Sequence, residues 1–308
     1  MPNSESSRTG KRRIVYLMGP AHSGTTLLSL LLSMNPDICT IGELKATSRG
    51  EIRSYKCSCG EYILECPFWV GVKQAADSQG IRFDLENFGT HFVGNGVMSD
   101  KLLYSSLRGP AYESVRDFFI GAIGKVEVFS DQVRNTNRAL VEILMDRMGG
   151  CIFLDGSKDP IRLKYLSQIP EWDIKVIHMV RDGRATAYSY MKNYGITMER
   201  AAKEWRQTCS EFPNIERFID PKSIYFTRYE DLCMDQSGVL IDIFKFLGVE
   251  NDLSDSDFSK QHILGNSMRL TADFNVKMDN RWKNALSSGD IDCFLRIAGD
   301  LNGRYGYQ

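Results

Sequence analysis

The segment Gly19-Pro20-Ala21-His22-Ser23-Gly24-Thr25-Thr26 lies between two apolar runs, residues 14–18 before it and 27–34 after it. The order reads as a buried strand, a glycine-bounded loop and a helix. Such a junction offers a row of backbone N–H groups to a phosphate at the helix start. It also restricts the fold. A strand that is apolar throughout, without alternation, suits a parallel sheet covered on both faces.

The rest of the chain repeats that grammar. Further strands are expected at 38–44, ending at Glu43, and at 151–155, 174–180 and 223–227. Helices are expected over 25–34, 160–168, 185–193, 198–219, 238–247 and near 290–302. Strands alternating with helices imply a three-layer α/β/α fold around a central parallel sheet. Residues 45–150 break the alternation. They carry Cys57-Ser58-Cys59-Gly60, then Cys66-Pro67-Phe68-Trp69, then glycine- and asparagine-rich loops near 89–96 and amphipathic stretches near 110–123 and 136–148. This reads as a helical insertion. Residues 1–12 are a polar tail, so a single domain over 13–308 is expected. The aromatics Phe68, Trp69, Phe83, Phe88, Phe92, Tyr104 and Tyr112 of the insertion read chiefly as core, with an acceptor-site lining as the alternative for some of them.

Composition narrows the function. The 308 residues carry 38 basic and 39 acidic side chains, a formal net charge of −1. No global field points to nucleic acid or a membrane surface, so any anion site must be local. Eight irregularly spaced cysteines argue against a disulfide scaffold and for a reducing compartment. No apolar h-region of a secretory signal is visible, and the run 27–34 is too short to span a bilayer. A soluble, cytoplasmic protein is the expectation.

Gly19 and Gly24 have the G-x-x-x-x-G spacing of a P-loop, yet position 25 is Thr rather than the Lys that reaches the terminal phosphates of a nucleoside triphosphate. Amide and hydroxyl donors alone suit a less charged group. Arg181 ends a strand and Ser189 follows eight residues later in the next helix, a pair able to converge on a second phosphate at the sheet's carboxyl edge.

Together these two sites resemble the sulfotransferase family, whose donor is 3′-phosphoadenosine 5′-phosphosulfate (PAPS) and whose product is the bisphosphate PAP. The family's loop (K/R)-S-G-T-T matches His22-Ser23-Gly24-Thr25-Thr26 in all but its first residue. Its 3′-phosphate pair, an Arg followed eight residues later by a Ser, matches Arg181 and Ser189. The segments from Lys158 to Lys164 and from His178 to Ala185 look like the tyrosylprotein sulfotransferase branch and the bacterial enzymes near it. Tyr229-Glu230-Asp231-Leu232 resembles a strand-end motif beside the adenine. His262, Gly265, Asn266, Arg269 and Trp282 resemble a C-terminal element of the bacterial members, which adds Asn266 and Arg269 to the expected donor contacts. The resemblance covers 13–44 and 150–305.

What it implies is in-line transfer of a sulfuryl group to a hydroxyl or amine of a small-molecule acceptor, with no metal required. Such chemistry needs a base for the acceptor's proton and cations around the transferring oxygens. Glu43 falls where the tyrosylprotein branch has its catalytic glutamate, and Lys158 where the family has a lysine on the sulfuryl group. His22 stands where the family has a full cation. With an ordinary pKa near 6.5 it can donate a hydrogen bond or become charged beside an anion, so its division of labour with Lys158 is open. The family places its acceptor over the sheet edge, under helices of the 45–150 region. His178, in an apolar strand, reads as a core histidine. Cys57, Cys59 and Cys66 can be zinc ligands lacking a partner, a disulfide with a spare thiol, or free structural thiols. Tyrosylprotein- or carbohydrate-directed transfer is the nearest alternative. A P-loop small-molecule kinase or a nucleotide-binding module without catalysis are alternatives of other classes. A homodimer is compatible with all of these readings.

Overall fold

The computed structural model describes residues 10–45, 52–93, 96–253, 261–265, 270 and 276–308. Five strands, β1 (Arg12–Met18), β2 (Ile38–Thr40), β3 (Ile152–Lys158), β4 (Trp172–Val180) and β5 (Ile224–Arg228), form one sheet in the order β2-β3-β1-β4-β5. Every pairing is parallel. The helices in chain order are α1 (Thr25–Leu32), α2 (Pro67–Ser78), α3 (Val97–Leu103), α4 (Pro110–Ala122), α5 (Gly124–Met148) and α6 (Pro160–Leu166). After β4 come α7 (Gly183–Tyr194), α8 (Met198–Glu211), α9 (Tyr229–Met234), α10 (Gln236–Leu247), α11 (Trp282–Ala285) and α12 (Ser288–Arg304).

β1 sends alternate side chains into two cores. Ile14, Tyr16 and Met18 join the larger, with apolar residues of α2, α5–α8 and α12. Val15 and Leu17 join the other, with α1, α9 and α10. Burial on both faces explains why the strand is apolar without alternation. The three-layer α/β/α arrangement is the one expected. β1 has β3 on one side and β4 on the other, and the chain crosses between them only after β3, so the winding reverses beside β1. A crevice opens at the carboxyl ends of the strands at such a switch point.

Several elements differ from expectation. β2 stops at Thr40 instead of reaching Glu43. Gly42 has φ +79°, and a Cβ there would lie 2.2 Å from the Leu264 carbonyl. The chain turns at this point and forms an isolated parallel bridge from Gly42 to Leu264, leaving Glu43 on the following loop. The helix expected to run to residue 219 ends at Glu211, where Pro213 converts it to the 3₁₀ turn Phe212–Arg217. α5 is twice the expected length and is stopped by Gly149 at φ +81°.

In the insertion, Trp69, Phe83, Phe88 and Phe92 are core residues, with Phe88 packed at a tilt between the rings of Trp69 and Phe83 at 5.0 and 4.8 Å. Tyr112 is exposed. Arg162, buried on α6, ties the insertion to the sheet edge: it donates to Thr90 O and Asn137 Oδ1 while pairing with Asp155 of β3. No helix among the described residues is long and apolar enough to cross a membrane.

Candidate active site

The carboxyl edge of the sheet carries a cleft of about 1020 Å³. Its floor is the loop after β1. A Cβ on Gly19 would lie 2.2 Å from the Met179 carbonyl of β4, so only glycine lets the loop press against the neighbouring strand. Gly24 takes φ +90° as the N-cap of α1, and no side chain caps the helix. The first-turn N–H groups of a helix have no partner within it, and here Thr25 and Thr26 line the cleft. Ser23 does not. It is fully buried, and its hydroxyl donates to Pro20 O at 2.7 Å, which holds the loop's own turn.

Lys158 enters the cleft through an irregularity in β3. The register pairs Tyr16 with Asp155 but Met18 with Lys158, one residue out of step. Such a bulge re-aims the strand end. Ser157 Oγ donates to Asp155 Oδ1 at 2.5 Å, Gly156 N donates to Gly42 O at 2.7 Å, and Lys158 adopts φ +68°. Its ammonium thereby reaches Glu43 Oε1 at 2.6 Å. Glu43 is only 4% exposed, and its own N–H donates to Leu264 O. The two residues form a largely buried ion pair at the edge of the cleft, and both line it.

On the opposite wall Arg181, at the end of β4, donates to His22 O at 3.3 Å and to Asp279 O at 2.9 Å. It also pairs with the Asp279 carboxylate at 3.2 Å, and its guanidinium lies 4.7 Å over the Tyr229 ring. Arg281, aided by Arg181, holds the Asp279 carboxyl well below the usual carboxylate range. Tyr229 begins α9, packs against Gly24 and donates to Lys277 O at 2.8 Å. Ser189 lines the same wall, its hydroxyl turned back to Ala185 O at 3.0 Å.

The His22 imidazole leans on α7, with Nε2 3.1 Å from the Tyr194 hydroxyl. Burial lowers its pKa, and the charges of Lys158 and Arg181 lower it further, which favours the neutral ring. His22 also has a left-handed backbone, φ +62°. His178, by contrast, sits in the core edge-on to Phe212 and Phe226, away from the cleft.

Of the residues expected from the sequence, the cleft brings together His22, Gly24, Thr25, Thr26, Glu43, Lys158, Arg181, Ser189 and Tyr229. Asn266 and Arg269 lie outside the described residues. The sequence reading missed Lys45, Lys192, Lys277 and Arg281, which join Lys158 and Arg181 at the cleft against four carboxylates, those of Glu43, Asp159, Glu211 and Asp279. A local excess of cations on a chain of net charge −1 suits an anionic ligand. No local pattern marks these residues, because scattered surface lysines look alike in sequence. Tyr104 of the insertion also reaches the cleft, as does Glu211, whose carboxyl is pushed up by burial.

A family model described as the sulfotransferase family matches residues 99–254. That stretch contains Lys158, Arg181, Ser189 and Tyr229. Among solved structures, the chain is similar to the sulfotransferase domain from the curacin biosynthetic pathway, with a TM-score of 0.52 at 16% identity over 96% of this chain and 98% of that one. A sulfotransferase domain from the olefin synthase of Synechococcus PCC 7002 gives 0.49 at 18% identity, covering 94% and 95%. A mouse sulfotransferase complexed with PAP gives 0.45 at 14% identity, covering 96% and 88%. No curated protein matches the chain.

Proposed function

The chain belongs to the sulfotransferase family, and from that premise we propose that it transfers the sulfuryl group of PAPS to a hydroxyl or amine of a small-molecule acceptor. One observation carries the reading. A glycine-bounded loop without a Walker lysine and Arg181 line a single cleft, and the Glu43–Lys158 pair stands at the cleft's edge. The residues fit the donor. Tyr229 closes the space that a Cβ on Gly24 would fill, and the first-turn amides of α1 beside the cleft have no partner within the helix. Gly24, Thr25 and Thr26 hold the 5′-phosphosulfate, with Ser23 maintaining the turn. Arg181 and Ser189 hold the 3′-phosphate, which takes the place of the Asp279 carboxylate now paired with Arg181. Tyr229 borders the nucleoside, and Asn266 and Arg269 are the further donor contacts that the family resemblance implies.

Bound there, the donor supplies a sulfuryl group on a phosphate leaving group. Glu43 takes the proton from the acceptor's hydroxyl or amine as the new bond to sulfur forms. Lys158 follows the charge onto the bridging oxygen as the sulfur–phosphate oxygen bond breaks. Before binding, Lys158 is held by Glu43 at 2.6 Å. Drawing the ammonium toward the sulfuryl oxygens releases the carboxylate, so donor binding arms the base. His22, tied to Tyr194 before binding, turns to donate to the phosphosulfate and gains a proton beside it, while Lys158 carries the permanent charge. The 45–150 insertion covers the acceptor side through Tyr104.

Calorimetry with PAP against ATP·Mg²⁺ tests the donor. Binding of PAP is expected, and binding of ATP·Mg²⁺ without PAP would overturn the reading. An acceptor panel with labelled PAPS then identifies the acceptor, and Glu43→Ala is expected to abolish turnover.

A further inference from the structure

Away from the cleft, four side chains converge that sulfuryl transfer does not use. The Sγ atoms of Cys57, Cys59 and Cys66 and the Nδ1 of His262 all lie within 4.8 Å of one another. The Cys59 and Cys66 sulfurs are 3.6 Å apart, and His262 Nδ1 is 3.4 Å from Cys66 Sγ and 3.6 Å from Cys57 Sγ. We propose that these four residues bind one zinc ion, which fastens the start of the insertion to the segment behind Glu43.

The geometry supports zinc. Metal–sulfur bonds of about 2.3 Å and a metal–nitrogen bond of about 2.05 Å at tetrahedral angles put sulfurs about 3.8 Å apart and sulfur about 3.6 Å from nitrogen. Three of the six separations, at 3.4–3.6 Å, lie close to this pattern, and the other three are within 4.8 Å. Three thiolates and an imidazole are a soft donor set that selects zinc over calcium or magnesium. Four protein ligands close the coordination sphere, which marks a structural site, since a catalytic zinc keeps one position open.

Local structure explains how the ligands meet. Lys56 bridges Tyr62 in antiparallel fashion, and Ile63 N donates to Tyr55 O at 2.9 Å. Gly60, at φ +93°, donates to Cys57 O at 3.0 Å. This tight hairpin carries Cys57 and Cys59 on its turn. Cys66 is the N-cap of α2, with Pro67 as first helical residue. The fourth ligand comes from far downstream. Ser58 grips it from both sides: its Oγ donates to Gln261 O at 2.6 Å and accepts from Ile263 N at 2.8 Å. The His262 ring lies flat on Phe68, 4.2 Å between centroids, which fixes the direction of Nδ1.

The consequence reaches the base. Leu264, two residues past the histidine ligand, donates to Ile41 O at 2.6 Å and accepts from Glu43 N. Tyr55 Oη accepts from Gly265 N at 2.6 Å. A metal at the cluster therefore holds the peptide against which the Glu43 loop is built.

Metal analysis of the protein purified under reducing conditions from zinc-supplemented medium is expected to give one zinc per chain. Cobalt added to demetallated wild-type protein is expected to give thiolate charge-transfer bands and the strong visible absorption of a tetrahedral site. Cys59→Ser and His262→Ala are each expected to lose the metal. Reduced wild-type protein that takes up neither zinc nor cobalt overturns the proposal, as does metal-free protein with a stable Cys59–Cys66 disulfide. The cobalt titration needs no variant, so misfolding of a mutant leaves the test intact. Hydrogen exchange reads the fastening: removal of the metal is expected to speed exchange at the Leu264 and Glu43 amides, and unchanged protection there overturns it.

Discussion

Gly24→Ala tests the construction of the phosphate-binding loop at a single methyl group. Gly24 sits at φ +90°, where an L-residue is strained by about 1–2 kcal/mol. The added Cβ would lie 2.5 Å from Tyr229 Cδ2 and 3.1 Å from Cε2, so the ring must move, at about 1–3 kcal/mol for an overpacked contact. The sum is a loss of about 2–5 kcal/mol, measured as the shift in urea unfolding. The ring is not free to move without further effect. Its hydroxyl donates to Lys277 O, and its face lies under the Arg181 guanidinium. PAP affinity should therefore fall as well. The two parts separate in a double-mutant cycle. In a Tyr229→Ala background the clash is gone and only the backbone strain of about 1–2 kcal/mol should remain. If Gly24→Ala unfolds like the wild type, or costs as much with Tyr229 as without it, the tyrosine does not close the loop and the reasoning is wrong.

Three further outcomes are expected. Glu43→Gln should lower the initial rate with labelled donor by about 10²–10⁴, as loss of a general base does, while calorimetry shows PAP affinity retained. His22 has its pKa lowered by burial, Lys158 and Arg181, and the negative charge of a bound bisphosphate should raise it. Binding should then take up a proton, and affinity should rise from about pH 8 to about pH 6; calorimetry in buffers of different ionisation enthalpy reads this uptake, and His22→Gln should remove it. Burial pushes His178 down to about 3 from its ordinary 6.5. Below the ordinary value the unfolded chain binds a proton that the folded one refuses. The stability held above about pH 6.5 is thus lost toward pH 3, by ~1.4 kcal/mol per pH unit, and urea midpoints across that range should show a flatter acid limb in His178→Leu.

Much of this was legible in the sequence because it is local. The apolar run of β1, the glycines at 19 and 24 and the strand-to-helix turn at Arg181 each fit within one element and its loop. Arg181 at the strand end and Ser189 in the second turn of α7 fall within one strand-to-helix unit, so a motif of fixed spacing could pair them. What was not legible depends on long-range contact. Gly42 is the one local mark that β2 stops early, and the carbonyl that demands a glycine there, that of Leu264, lies far downstream. Three cysteines left zinc open because their fourth partner, His262, lies in the last fifth of the chain. Ser23 looked like a ligand contact, yet its hydroxyl is taken by Pro20 O. α9 is six residues long, too short for a periodic pattern to show.

The left-handed backbones of His22 and Lys158 follow from the same sheet edge. Among the described residues they are the non-glycine residues with positive φ, and both line the cleft. Each costs of order 1–3 kcal/mol. A strand in extended geometry directs its side chains alternately to the two faces. Here both faces are filled: Tyr16 and Met18 meet one helical layer, Leu17 the other. A side chain that must point along the strand axis, into the crevice, can do so only by leaving that geometry. Lys158 leaves it through the bulge after Asp155, and His22 through the turn that Arg181 secures at its carbonyl. Glycine would relieve the strain at either position and would remove the side chain that the strain directs into the cleft. The two positions where local preference is overridden are thus the two where a donor of positive character is brought to the carboxyl edge.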